Sequence, residues 1–326
     1  MLSRVADSLY WLGRYIERAE NYARFIDVNS NLALDLPPQL NEQWEPLIAA
    51  TGDLESFKAR YKTCDRTTAI YFLAFDLDNP NSLFSSVSKA RENARIVREN
   101  LTKETWEVLN ELYLRMKEGN FKKIWNQEDP RPFFIDVKYR IQLLYGIAYN
   151  SVARAEGWYW VTLGQYLERA DKTSRILDVK YHYLLPSPED VGSPLDQLHW
   201  MALLKSVSAF NTYRRVFGNI SPEGVVEFLV LNRKFPRSIY FCLTEAEICL
   251  HEISGHPAKG FGNKAEKLMG ELRSQLEYDD IADVIDHGLH EYLDHLQIRL
   301  NQISTAIYDC FIGIKDNFNV QISEQE

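Results

Sequence analysis

Near the start of the chain, apolar residues recur at alternating steps of three and four. Leu9, Leu12, Ile16, Ala19, Ala23 and Ile26 therefore fall on one stripe of a helix. Ser3 is placed to cap that helix. Pro37-Pro38 must end it, because proline lacks the amide and clashes with the preceding turn. Asn79-Pro80, Pro130-Arg131-Pro132, Pro186 with Pro188, Pro236 and His256-Pro257 divide the rest of the chain into segments. Ser193-Pro194 and Ser221-Pro222 read as an N-cap followed by proline at the first helical position. The pattern predicts an all-α protein, a bundle of about ten helices with no convincing strand; even Val225-Val226 sits inside helical spacing.

The chain also resembles itself. Residues 13–28 aligned with 164–179 give eight identities in sixteen positions, among them Gly13/Gly164, Tyr15/Tyr166, Glu17/Glu168, Arg18/Arg169 and Arg24/Arg175. After a five-residue insertion the register resumes and pairs Trp44/Trp200, Phe57/Tyr213, Tyr61/Phe217, Phe72/Phe228, Pro80/Pro236 and Ser82/Ser238. Amphipathic helices share composition, but paired tryptophans and a shared helix-breaking proline in one register are hard to obtain by chance. The expectation is two tandem helical repeats, 1–155 and 156–326, related by a pseudo-two-fold and packed together because neither covers its apolar faces alone.

Within the repeated helix, Arg14, Glu17, Asn21 and Arg24 form a narrow polar wedge, matched by Gln165, Glu168, Lys172 and Arg175. Apolar residues flank the wedge on both sides, with Trp11, Tyr15, Tyr22 and Phe25 opposite the Leu9-to-Ile26 seam. Three readings follow. Glu20–Arg24 and Arg24–Asp27 are spaced as intrahelical pairs on a solvated face, worth a few tenths of a kcal/mol. Alternatively, the wedges meet between the repeats as an internal Arg/Glu network, since charges that leave water need partners. Or they line a pocket, where arginine forks would suit an anionic or peptide-like ligand and paired carboxylates could divide acid and base roles.

Composition narrows the function classes. The chain is 45% hydrophobic and 25% charged, as in ordinary globular proteins. A net charge of −9 without a basic run argues against a nucleic-acid binder. Charges at positions 4, 7, 14 and 17 leave no room for a signal-peptide core, and no apolar run approaches the ~18 residues of a membrane span, so a soluble, cytoplasmic protein with no membrane partner is expected. Cys64, Cys242, Cys249 and Cys310 lack CxxC spacing and read as buried free thiols; His251-Glu252 beside Cys249 reads as core packing. In DVIDHGLHEYLDH, His287/His290 and Glu291/His295 stand one turn apart, a spacing able to chelate metal. Ile281, Val284, Leu289, Leu293 and Leu296 supply the apolar face, however, so the polar groups read as solvated, with no metal and no cofactor expected. No phosphate loop, dinucleotide fingerprint or nucleophile elbow is present.

Several stretches together resemble the bacterial alpha-E family, a domain of unknown function: LSRVADSLYWLGRYIERAENYARFID, ARENARIVRENLTKETWEVLN, GWYWVTLGQYLERADKTSRILDV, KSVSAFNTYRRVFG and FPRSIYFCL, in order from residue 2 to about 250. The resemblance implies an all-helical fold and a bacterial source. It also implies association with a circularly permuted ATP-grasp protein and a transglutaminase-like peptidase, hence a role in ATP-dependent peptide or amide-bond formation. On that basis the chain is expected to be an accessory, scaffold or substrate-binding partner of the ligase. An enzyme of the same pathway using a Glu/Arg pocket between the repeats is the alternative. The family's repeated glutamates and arginines correspond to Glu17, Arg18, Glu20 and Arg24, to Glu168, Arg169, Asp171 and Arg175, and to Arg91, Glu92 and Arg95. With Arg14, these are the candidate site residues.

Overall fold

The computed structural model describes residues 1–35, 44–118, 124, 129–183, 192–257, 260–286 and 288–313. These form fifteen α-helices and no strand among the described residues: α1 (Ser3–Asp35), α2 (Trp44–Thr51), α3 (Leu54–Lys58), α4 (Arg66–Ala74), α5 (Leu83–Ile96), α6 (Lys103–Glu118), α7 (Arg131–Ser151), α8 (Glu156–Tyr183), α9 (Pro194–Ser206), α10 (Phe210–Phe217), α11 (Pro222–Val230), α12 (Ile239–Ser254), α13 (Lys264–Tyr278), α14 (Ile281–Asp286) and α15 (Leu289–Ile307). The count exceeds the ten expected because several segments between prolines hold two short helices. In 44–58, for example, Gly52 at φ +83° turns the chain between α2 and α3.

Ser3 stands inside α1 as its first residue and does not cap it, but the later serine signals work as their chemistry requires. Ser193 and Ser221 accept from the amides of Asp196 and Gly224, with proline opening each helix. Ser82 and Ser238 cap α5 and α12 in the same way. Pro37-Pro38, Pro186 and Pro188 lie outside the described residues.

The two longest helices, α1 and α8, form the centre. Met1 meets Glu156, Gly13 meets Val161, and Glu17 meets Arg169, so the two helices run side by side in the same direction. α1 packs on α5 and α7, with α6 bridging those two; α8 packs on α12 and α15, with α13 bridging those two. The short second helices cross over: α2 packs mainly on α8, and α9 mainly on α1. One aromatic arrangement occurs twice. Phe57 stacks on Tyr61 at 4.9 Å with Phe72 edge-on, and Tyr213 stacks on Phe217 at 4.9 Å with Phe228 edge-on. Trp44 and Trp200 are both buried.

The central helices approach so closely at two points that only glycine fits. A Cβ on Gly13 would lie 2.0 Å from the Val161 carbonyl oxygen, and one on Gly164 would lie 2.1 Å from that of Tyr10. This contact brings the polar wedges of α1 and α8 together one turn further on. No described helix is long and apolar enough to cross a membrane.

Candidate functional site

Immediately beyond the glycines, each central helix presents a glutamate to the other helix's arginine. Arg18 grips Glu168 with two nitrogens, at 2.7 and 3.1 Å, and Arg169 grips Glu17 at 3.0 and 2.8 Å. Forked pairs of this kind match the two oxygens of a carboxylate. Each arginine also lies against a tyrosine one turn back, Arg18 at 5.5 Å from the Tyr15 ring and Arg169 at 5.2 Å from that of Tyr166. Both glutamates are wholly buried, at 0% exposure.

The remaining partners differ. Glu168 receives Arg14 at 2.7 Å and lies 3.7 Å from Lys172. Glu17 receives Arg237 at 2.8 Å, the Tyr145 hydroxyl at 2.9 Å and the Asn21 amide at 3.2 Å. Arg237 reaches on to Asn21 at 3.1 Å and Glu20 at 2.6 Å. Glu20 also accepts from Arg24 and from Gln142, while Asp171 pairs with Arg175 and Lys172, each at 2.9 Å. Four carboxylates thus face seven cationic side chains.

The electrostatic consequences follow. Burial pushes the carboxyls of Glu17 and Glu168 up, but the neighbouring guanidiniums outweigh it and hold both well below the usual carboxylate range. Glu20 and Asp171 are lowered in the same sense. Part of the excess positive charge sits on Arg24. Its Nε and Nη1 find no hydrogen-bond partner among the described residues, and burial with the adjacent Arg237 lowers it to about 10. The i,i+3 pair Arg24–Asp27 suggested by spacing is absent among the described contacts; Asp27 turns instead to Lys138 on α7, at 3.4 Å. Asp178, its aligned counterpart, meets His290 on α15 at 2.6 Å.

Not every sequence candidate joins the cluster. Arg91, Glu92 and Arg95 lie on the outer side of α5. Arg91 donates to Asn110 and Glu92 and packs 4.5 Å from the Tyr113 ring, while Arg95, on Glu92, is 68% exposed. The α5 stripe that packs on α1 is Leu83, Val87, Ala90 and Ala94, which turns these three charges away. Conversely, Arg237 and Tyr145 were not among the candidates. Arg237 was detectable, because it stands between the aligned Pro236 and Ser238 where the first stretch has Asn81. Tyr145 had no such signal, as its role depends on how α7 packs on α1.

The other candidate chemistry does not assemble. His287 lies outside the described residues; Glu291, Asp294 and His295 are exposed, and no group of three metal-ligating residues forms among the described ones. The four cysteines form no disulfide among the described residues. Burial pushes Cys242 and Cys249 up to about 12, whereas Cys64 and Cys310 are only half-buried, contrary to the expectation of four buried thiols. His251 is buried in α12.

Beside the cluster lies a mainly apolar cleft of about 400 Å³ between α1, α6, α7, α8 and α12. The Tyr145 ring forms part of its wall, while its hydroxyl bonds Glu17.

Comparison with known proteins places these features in a family. The chain is 24% identical over 322 residues to uncharacterized proteins of Mycobacterium bovis and Mycobacterium tuberculosis, with 90% of this chain aligned. It spans only 34% of those relatives' length. No solved structure matches it. The model of the Alpha-E family, described as "a predicted alpha-helical domain with a conserved ER motif", matches residues 1–312. The dipeptide Glu-Arg stands here at 17–18 and 168–169, the residues that exchange ion pairs between α1 and α8. The chain belongs to the Alpha-E family.

Proposed function

We propose that this chain is a helical accessory module, a scaffold or substrate-binding partner of an ATP-grasp-type peptide ligase in the cytoplasm, with a transglutaminase-like peptidase in the same pathway. Two repeats, 1–155 and 156–326, pack as one domain, and the Glu-Arg pairs fix their register. The observation that carries this reading is reciprocity: Glu17 takes Arg169 and Glu168 takes Arg18, at aligned positions of two helices. The twofold recurrence of the glycine contact, the three-ring clusters and the serine caps supports the duplication.

A cluster whose carboxylates are wholly buried and held ionised by the opposite helix serves poorly as acid–base machinery. A general acid or base works best when its pKa lies near the operating pH, and these groups are displaced far from it. Breaking a buried ion pair by removing one partner costs about 3–5 kcal/mol, so the network strongly penalises separation of the repeats. This favours a positioning role over the alternative of a Glu/Arg catalytic pocket. The relatives' greater length suits a module that works alongside other domains.

The test is reconstitution with an ATP-grasp protein from the same organism. The expected outcome is a complex by size-exclusion chromatography and a change of at least threefold in ligase ADP release. Separate elution together with unchanged ligase kinetics would overturn the reading.

A further inference from the structure

The 400 Å³ cleft lies within the roughly 300–1,000 Å³ typical of small-ligand sites. Its wall is built from such residues as Leu12, Leu109, Leu144, Trp158, Tyr166 and Ile248. One carboxylate stands on that wall. Glu245, on α12, is partly buried and makes no ion pair or hydrogen bond with any described residue, and burial alone raises its carboxyl above the ordinary value. Arg154 does not neutralise it. That guanidinium packs 3.6 Å from the Trp158 ring and donates to the carbonyls of Tyr149 and Val152. An apolar hollow with a single uncompensated carboxylate is complementary to an apolar ligand carrying one positive charge.

The other half of the molecule indicates what kind of body fits. In the sequence alignment, Val161, Thr162 and Gln165 of the cleft correspond to Tyr10, Trp11 and Arg14. Those residues border a smaller hollow of about 230 Å³, whose wall includes Tyr308 and Ile312. Leu9 of the cleft corresponds to Trp160, and Trp160 is covered edge-on by Phe311 at 5.7 Å. The chain's own turn at Tyr308–Ile312, a stretch of peptide with aromatic and branched side chains, thus packs where the first half is open. After α7 the chain passes directly through 152–155 into α8 and supplies no such turn.

We propose that the cleft binds the amino-terminal end of a peptide, with an aromatic or branched apolar side chain against Leu109 and Leu144 and the terminal ammonium against Glu245. The choice of a peptide rests on the two-repeat reading; the positive charge rests on Glu245 alone. The modest volume favours a chain end over a segment passing through.

The test uses the whole chain, titrated calorimetrically with phenylalanyl-phenylalaninamide and its N-acetyl counterpart. The free-amine peptide is expected to bind, and acetylation to weaken binding at least tenfold. Glu245→Gln should abolish that preference without changing the melting temperature. Leu109→Trp, which fills the cleft, should remove binding of both peptides. Equal binding of the two peptides, or no binding of either at millimolar concentration, would overturn the proposal. Stability of Gly13→Ala and Gly164→Ala, measured in parallel, tests the repeats separately. Similar falls in melting temperature with no peptide bound would sink the cleft and spare the repeats. Dissimilar losses with Glu245-dependent binding would do the reverse.

Discussion

Glu17 and Glu168 occupy aligned positions, yet their charge is compensated along different routes. Each takes a forked arginine from the opposite central helix. The further arginine for Glu168 is Arg14, where α8 has Gln165; the further arginine for Glu17 is Arg237, where the first half has Asn81. The first half supplies its extra arginine from α1, and the second from the loop before α12. What is preserved is neutralisation of a buried carboxylate, not the placement of the groups that achieve it. A pocket built to recognise one ligand twice would need matched geometry, whereas a network built to join two halves needs only matched charge. The asymmetry therefore favours the structural reading.

The most severe way to break this comparison is to remove the carboxylates. Glu17→Ala and Glu168→Ala should each cost about 3–5 kcal/mol in urea unfolding, because either leaves buried guanidiniums unpaired. Similar losses at both positions are expected, and a loss below about 1 kcal/mol at either would mean the two routes are not equivalent. The pH dependence has a defined sign. These carboxyls are held below their ordinary value of 4.5 in the folded protein. Their contribution is complete above that value and is lost as pH falls from it toward the folded-state values. Acid unfolding should accordingly steepen below about pH 4.5 and be shallower in either variant.

The sequence made much of this legible, for a definite physical reason. Helical periodicity, serine caps and proline breaks are local, so α1, α5, α8, α9, α11 and α12 could be located from them. Apolar residues on both flanks made an interior wedge one of three open readings, and burial of Glu17, Asn21, Arg24, Glu168 and Lys172 removes the solvated face. Arg91, Glu92 and Arg95 entered through the family resemblance, which says nothing about which neighbour their side of α5 faces; they lie outside the cluster. The open cleft was invisible, since it depends on the absence of a packing turn in one half and its presence in the other. Arg237 was overlooked because the alignment drew attention to identities, while compensation works through differences.

A smaller effect sharpens the contrast at the excess charge. Arg24 and Arg175 align, but Arg175 holds Asp171 through Nε, whereas Arg24 is buried with two nitrogens unpartnered among the described residues and lies near Arg237. Removing Arg24 leaves no carboxylate unpaired, because Glu20 keeps Arg237 and Gln142, and it takes away a buried cation with two unpartnered nitrogens. Arg24→Met should leave stability unchanged or raise it by roughly 1 kcal/mol, while Arg175→Met should lower it by roughly 1 kcal/mol. Equal losses in the two variants would show that Arg24 is as well satisfied as its counterpart.

The smallest expected difference lies one turn beyond, where Asp27 meets Lys138 and Asp178 meets His290. The second pair contains a histidine, the side chain whose charge changes near neutrality. The hydrogen bond that the protonated imidazole donates to the Asp178 carboxylate raises His290 above its ordinary value of 6.5. A group raised in the folded state contributes stability that is complete below its unfolded value and is lost as pH rises through the folded one. The window therefore opens near pH 6.5 and extends upward, and the partly exposed imidazole limits the effect to a few tenths of a kcal/mol. The urea midpoint of the wild-type chain should decline slightly across pH 6–8, and His290→Lys, which copies the first half's chemistry, should flatten that decline. Lys138→His should deepen it, because the pH response would then be present on both sides. If His290→Lys left the slope unchanged, the pair would contribute nothing measurable and the difference between the halves would end at the buried cluster.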